Sequence, residues 1–366
     1  MKIGIDASRA FQKQRTGIEE YSYQVIKHLR DELHSEEVFL YIKKGQQINF
    51  DLPANWKVKI IDYKILWTQL GLSLELLFHP VDVLFIPAHV VPIVHPRNTI
   101  VTVHGLEFEI LPDCYSFWAR FYMRVSVKFS CRWAKKIIAV SENTKKDLIR
   151  LYNVPEEKIE VIYEGVSNFK FSFFSFQSSL CDKILDYKPY LLFIGRLEKR
   201  KNIKGIVDAY EILKDKYKIP HKLILAGKPG FGYDDIKYKI QNIRYWDDVI
   251  LPGYITEEEK LQLLSSAEIF LFPTSYEGFG LPILEAQSIG TPVVCSRVSS
   301  LPEIGNNSVI YCDSIDSKSI AESMYNLISH AEVRSDIIKK GYENLKRFSW
   351  GDCGFKVAKI LANGDK

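Results

Sequence analysis

Short apolar runs alternate with longer amphipathic stretches along most of the chain. In the first 165 residues the runs Lys2–Asp6, Val38–Ile42, Val58–Ile61, Val83–Ile86, Thr99–Val103 and Lys136–Val140 are β-branched or aliphatic and of strand length. Between them Ile18–Leu33, Leu66–Phe78, Tyr115–Ala134 and Glu142–Tyr152 carry the spacing of helices. After Gly165 the pattern breaks into the aromatic-rich stretch Phe169–Ser179, which has neither clean periodicity nor the composition of a flexible linker. It reads as a connector packed at a domain junction.

A second series then begins. Its strands are expected at Tyr190–Ile194, Leu223–Ala226, Val249–Leu251, Ile269–Phe272, Pro292–Cys295 and Val309–Cys312. Its helices are expected at Ile203–Tyr217, Glu257–Ala267, Pro282–Ser288 and Ser317–Ser329, with a helical tail from Glu332 onward. Strand–helix alternation implies mainly parallel sheets covered by helices. The expected fold is α/β, with two Rossmann-like doubly wound domains facing across a cleft. The N-terminal domain spans 1–168, the connector 169–188 and the C-terminal domain 189–345. A final helix over 346–366 is expected to return to the first domain. Ligands of such sheets bind at the carboxyl ends of the strands.

Length agrees with this division, since 366 residues exceed what one core normally supports. A formal charge of +4 gives no reason to expect nucleic acid as a partner. The six cysteines (Cys114, Cys131, Cys181, Cys295, Cys312, Cys353) form no C-x-x-C pair and read as reduced thiols of a cytoplasmic protein. Met1–Asp6 enters a strand at once, so no secretory signal is expected, and the apolar run Val83–Val94 is too short and too interrupted to span a bilayer.

The most informative chemistry lies in Phe272-Pro-Thr-Ser-Tyr-Glu277-Gly-Phe-Gly280-Leu-Pro282-Ile-Leu-Glu285. A strand ends, a loop carries two glycines, and a helix begins with proline, whose missing N–H would be unpaired there anyway. The free amides of that turn and the helix dipole suit an anion. Glu285, expected in the first turn, is placed to accept from both hydroxyls of a ribose. An ordinary glycine-and-proline helix start explains the same corner equally well. The segment Gly195-Arg196-Leu-Glu-Lys199-Arg200-Lys201-Asn202 tips the balance, because it follows another strand. Arg196 can fork onto phosphate oxygens and Lys201 can add a point charge. Lys199 and Arg200 read as solvated.

Together Gly195-Arg196 with Lys201-Asn202, Ala226-Gly227-Lys228, Pro252-Gly253-Tyr254 and the segment from Glu277 to Glu285 resemble the retaining family-four glycosyltransferases of GT-B fold, E-x7-E spacing included. The resemblance covers essentially the whole chain. It implies that Arg196 and Lys201 hold the donor diphosphate, Glu285 the ribose and Glu277 the donor sugar. The backbone of Phe279, Gly280 and Leu281 would meet phosphates and sugar, and Tyr254 and Ile255 would flank the base. Gly17 matches the family's glycine near the sugar phosphate, although Glu19 stands where many relatives have glycine. His104, closing Val101-Thr-Val-His104-Gly105, matches a histidine beside the donor sugar, although Gly105 departs from the usual aspartate. At a cleft-facing strand end a functional histidine is favoured over a structural one. The catalytic set is therefore His104, Glu277, Arg196 and Lys201.

No Asp-x-Asp triplet occurs in the chain, so neither a metal nor another cofactor is expected, the leaving diphosphate being neutralised by side chains and amides. The resemblance further implies retention of anomeric configuration. The opening Ile5-Asp6-Ala-Ser-Arg9, with Arg15-Thr-Gly-Ile and Tyr163-Glu-Gly-Val166, looks most like the mannosyltransferases of bacterial surface polysaccharides, including lipopolysaccharide, and favours GDP-mannose as donor. The acceptor would be a saccharide or a lipid-linked saccharide. A nucleotide-sugar epimerase and a catalytically impaired nucleotide-sugar-binding protein are the alternatives. A dinucleotide oxidoreductase is disfavoured, because no G-x-G-x-x-G follows a strand.

Arg120, Arg124, Lys128, Arg132 and Lys136 recur at every fourth position, and no acidic residue occurs from Tyr115 to Val140. Two readings stay open. One is a stripe that rests on anionic lipid at the inner face of the plasma membrane. The other is a solvated face whose aromatic neighbours pack on the sheet.

Overall fold

A computed structural model describes residues 1–167, 184 and 186–362. The connector expected at Phe169–Ser179 and Cys181 lie outside the described residues. Contacts divide the chain into one unit of residues 1–110, 116–165 and 348–366, and a second of 111–115 and 166–347.

The first unit is built on β1 (Lys2–Asp6), α1 (Gly17–Leu29), β2 (Glu37–Lys43) and β3 (Trp56–Ile61). A wide helical turn over Trp67–Leu72 then leads into α2 (Ser73–Phe78), β4 (Val83–Ile86), β5 (Asn98–Val103) and α3 (Glu107–Ile110). α4 (Phe117–Trp133), β6 (Lys136–Ala139), α5 (Glu142–Tyr152) and β7 (Ile159–Val161) follow. Its strands are all parallel, in the order β3-β2-β1-β4-β5-β6-β7.

The second unit runs β8 (Tyr190–Ile194), α6 (Ile203–Ile212), β9 (Lys222–Ala226), α7 (Tyr233–Gln241) and β10 (Val249–Gly253). It continues with α8 (Glu257–Ser266), β11 (Ile269–Phe272), α9 (Leu281–Ser288), β12 (Val293–Ser296) and α10 (Leu301–Gly305). β13 (Ile310–Cys312), α11 (Ser317–Ser329) and α12 (Ala331–Leu345) complete it. This sheet is also parallel, in the order β10-β9-β8-β11-β12-β13. Both sheets thus have the doubly wound order, with a switch point between β1 and β4 and between β8 and β11. The chain ends in α13 (Trp350–Ala362), which packs on α1 of the first unit.

Among the elements that differ from expectation, three bear on function. α1 stops at Leu29 rather than Leu33, because Asp31 and Glu32 donate to carbonyls only three residues back, which tightens the chain into turns. α9 begins at Leu281, one residue before Pro282, so Glu285 is its fifth residue and lies beyond the first turn. On α4 only Val127, Ser130 and Cys131 are buried, while Phe117, Trp118, Phe121, Tyr122 and Phe129 are exposed. These five aromatic side chains therefore do not pack on the sheet, while half-buried Trp133 lies against His95, ring centroids 5.5 Å apart. The basic row is also not uniform, since Arg120 and Arg124 both fold back onto Glu109 of α3.

Candidate functional site

In the second unit the expected donor residues gather around the β8/β11 switch point. β8 ends at Ile194, and Gly195 and Arg196 follow at its carboxyl end. β11 ends at Phe272, and the loop to α9 carries Glu277 to Gly280. Arg196 is exposed, and among the described residues no carboxylate pairs with it.

Glu277 is held from two sides. Its Oε1 accepts from the Lys201 ammonium at 2.5 Å and from Arg200 at 3.1 Å. Arg200 also donates to the Tyr276 carbonyl at 2.8 Å and pairs with Glu198 at 2.9 Å. Arg200 is therefore a nearly buried part of this cluster rather than a solvated loop residue. Burial alone would raise the Glu277 carboxyl, but Lys201 and Arg200 outweigh it and hold the group below its ordinary value. The Lys201 amine is pushed down, first by burial and then by Arg200, although Glu277 opposes both. Lys201, expected to touch phosphate, donates to Glu277 and lies over the Phe272 ring, 5.0 Å from its centroid, with further N–H donors left on its ammonium.

Two serines after β12 fix the loop. The Glu277 N–H donates to Ser299 Oγ at 2.9 Å, and Ser300 Oγ donates to the carbonyls of Glu277 and Phe279 at 2.9 and 2.5 Å. Gly280 then turns into α9 at φ 129°, a conformation that disfavours a side chain. No side chain caps α9; Pro282 has no N–H and the Ile283 N–H donates to the Gly280 carbonyl at 3.0 Å, so the Leu281 amide at its start is left for an anion. Phe279 and Leu281 are buried beneath this turn. Glu285, one turn on, accepts from Lys260 of α8 at 2.7 Å.

The floor of the site consists of strand ends in direct contact. Gly195 N–H donates to the Ala226 carbonyl at 3.0 Å, and Gly227 N–H to the Gly253 carbonyl at 2.7 Å. Gly227 has φ 143°, and a Cβ there would overlap the carbonyl oxygen of Gly195. Gly227→Ala is therefore expected to cost about 3 kcal/mol or more from strain and overlap combined. Urea unfolding of the variant checks this; an unchanged midpoint would refute the close approach. Just past β10, Tyr254 is exposed with the Lys228 ammonium 4.7 Å from its ring centroid, while Ile255 is buried. A base could stack against Tyr254, whereas Ile255 supports from below.

In the first unit the expected residues open a helix and close a strand. Gly17 is the first residue of α1, with open space where a Cβ would be. The unexpected Glu19 turns back to accept from the Thr16 N–H at 3.2 Å and also pairs with Arg9 at 3.1 Å, so it caps α1. His104 follows β5 with both ring nitrogens engaged. Its Nε2 donates to the Pro87 carbonyl at 2.8 Å, and its Nδ1 faces buried Glu164 at 3.3 Å. Tyr21 packs edge-on against it and His89 lies 5.2 Å away. His89 is buried, and burial holds its imidazole well below the ordinary value.

Sequence reasoning missed Arg200, Ser299, Ser300 and Lys260. Arg200 alone carried a signal, as a basic neighbour of Lys201 at a strand end. Among the described residues no three His, Cys, Asp or Glu side chains converge as metal ligands would.

The profile described as Glycosyltransferase Family 4 matches residues 15–168, and that described as Glycosyl transferases group 1 matches residues 182–344. The chain is similar to O-antigen chain mannosyltransferase B of Escherichia coli, 32% identical over 269 residues, which cover 70% of this chain and 68% of that protein. It is also similar to O-antigen chain mannosyltransferase RfbU of Salmonella typhimurium, 28% identical over 274 residues, covering 75% of this chain and 71% of that one. Among solved structures, Anabaena Alr3699/HepE in complex with UDP and glucose has the same fold at TM-score 0.73 and 18% identity, with 99% of each chain covered.

Proposed function

Because the chain belongs to the family-four glycosyltransferases, we propose that it moves mannose from GDP-mannose to a saccharide or lipid-linked saccharide of a bacterial surface polysaccharide, with retention of configuration and without a bound metal. It is a glycosyltransferase whose relatives include O-antigen mannosyltransferases, and those relatives favour the mannosyl donor. The observation that carries the donor grip is the placement of Arg196 and of the Glu277–Glu285 segment on the two sides of the β8/β11 switch point. Arg196, with Lys201 and the Leu281 amide at the start of α9, neutralises the leaving diphosphate, the task a metal would otherwise perform. Glu277 faces the donor sugar and Glu285 the ribose. A same-face displacement lets the departing phosphate take the acceptor proton, so no protein nucleophile is needed.

The test is a thermal-shift screen against GDP, UDP and ADP with their sugars, then nucleotide release with candidate acceptors. GDP-mannose is expected to stabilise most, and the product of a single turnover to keep the donor's anomeric configuration. Stabilisation by NAD alone would end the donor reading, and an inverted product would end the retaining one.

Work on a lipid-linked acceptor places the enzyme at the cytoplasmic face of the membrane, and α4 supports that reading. No helix among the described residues is long and apolar enough to cross a membrane. α4 nevertheless exposes Trp118 at 76% and Phe121 at 53%, beside exposed Lys128 and Arg132. Aromatic side chains at the interface and cations above it are what an anionic bilayer takes. Flotation with vesicles is expected to rise with anionic lipid, fall with salt, and fall again in Trp118→Ser/Phe121→Ser. Binding indifferent to lipid charge would defeat the proposal.

A further inference from the structure

We propose that Lys260 is a positioning residue of the donor site, orienting Glu285 so that one carboxylate oxygen is tied and the other is left for the ribose hydroxyls. The inference rests on the reading of Glu285 as the ribose ligand and adds what makes that ligand selective. Lys260 is the fourth residue of α8 and is only 9% exposed. A lysine so enclosed needs partners. Its ammonium lies 2.7 Å from Glu285 Oε1 and 2.6 Å from Glu257 Oε2.

The two carboxylates are not equivalent. Glu257 is half exposed, one turn back on the same helix, whereas Glu285 belongs to α9 and is only 20% exposed. Among the described residues Lys260 is the group that bonds the Glu285 carboxylate. An unconstrained glutamate has three rotatable bonds and would lose that freedom on binding. A fixed one meets the two hydroxyls already oriented. Burial works against the lysine's charge, but Glu285 and Glu257 outweigh it, so the tie persists at neutral pH.

α8 has other supports. Thr256 and Glu259 form a capping box at its start, and Leu263 and Leu264 anchor it in the core. The helix therefore does not depend on Lys260 to form, which makes Lys260→Met a usable probe.

The experiment measures binding of GDP, 2′-deoxy-GDP and 3′-deoxy-GDP by calorimetry, with the uridine series in parallel. Wild type, Lys260→Met, Lys260→Arg and Glu285→Gln are compared, each with its thermal midpoint. The wild type is expected to prefer the ribonucleotide by about tenfold or more, because buried polar groups are left unpaired when a hydroxyl is missing. Lys260→Met should weaken GDP about tenfold and leave the deoxy forms nearly unchanged, so that discrimination collapses toward one. Lys260→Arg should restore most of it. A Lys260→Met variant that is less stable but still discriminates would reduce Lys260 to a tie between helices and overturn the inference. Glu285→Gln with wild-type discrimination would instead remove the ribose reading beneath it, and failure of wild type to bind either series would remove the donor reading itself.

Discussion

Arg196→Ala is expected to lower turnover about 10²–10³-fold while leaving the unfolding midpoint unchanged. The guanidinium is exposed and, among the described residues, has no carboxylate partner, so its removal orphans no charge. It stands immediately after β8, where the proposed donor reading puts the leaving diphosphate. Lys201, already paired with Glu277, would compensate only in part, as a point charge. Arg196→Lys should recover only part of the rate, since an ammonium lacks the fork that grips two oxygens together. Nucleotide release under saturating donor, with thermal unfolding alongside, measures both effects. Wild-type turnover in Arg196→Ala would mean that the diphosphate is neutralised elsewhere.

The legible parts of the molecule were those that local pattern controls. Strands such as Tyr190–Ile194 and Ile269–Phe272 are continuous apolar runs because both faces of a parallel sheet are covered. β7, only three residues long, carries too little pattern to stand out. α7 was missed for a related reason: only Ile236 and Ile240 are buried, and Asp234, Asp235, Lys237 and Lys239 make the rest look like a loop. In α4 the sequence leaves open whether the aromatic residues face the sheet or the solvent, because hydrophobicity does not say which face a helix turns to its sheet.

The site divides in the same way. That Arg196, Glu277 and Gly280 stand at strand ends follows from local sequence, since glycine and proline after an apolar run mark the turn. Who bonds whom does not follow. Lys201 meets Glu277 across 76 residues and Lys260 meets Glu285 across 25, pairings that exist only once β8 and β11 lie side by side and α8 is laid against α9. The serines that hold the loop, Ser299 and Ser300, look like ordinary turn residues until the sheet places β12 beside β11.

The Lys201–Glu277 pair leads to the second large effect. Glu277→Gln keeps the shape of the side chain but takes from the buried Lys201 ammonium its ion-pair partner, leaving Glu198, itself paired with Arg200, as the carboxylate of the cluster. Breaking a buried pair from one side costs about 3–5 kcal/mol, and the variant is expected to lose stability of that order together with all measurable transfer. Lys201→Met added to Glu277→Gln removes the stranded charge. The double variant should therefore recover most of the stability and remain inactive, because the group facing the donor sugar is still gone. The pH dependence has a definite sign. A carboxyl held below its ordinary value of 4.5 contributes stability in full above that pH and loses it as pH falls through the lower folded value. The gap between wild type and Glu277→Gln should accordingly be constant from neutral pH down to about 5 and close below it. A double variant as unstable as Glu277→Gln would show that the loop needs the glutamate itself and not relief of the stranded lysine; recovered activity would take Glu277 out of the sugar site.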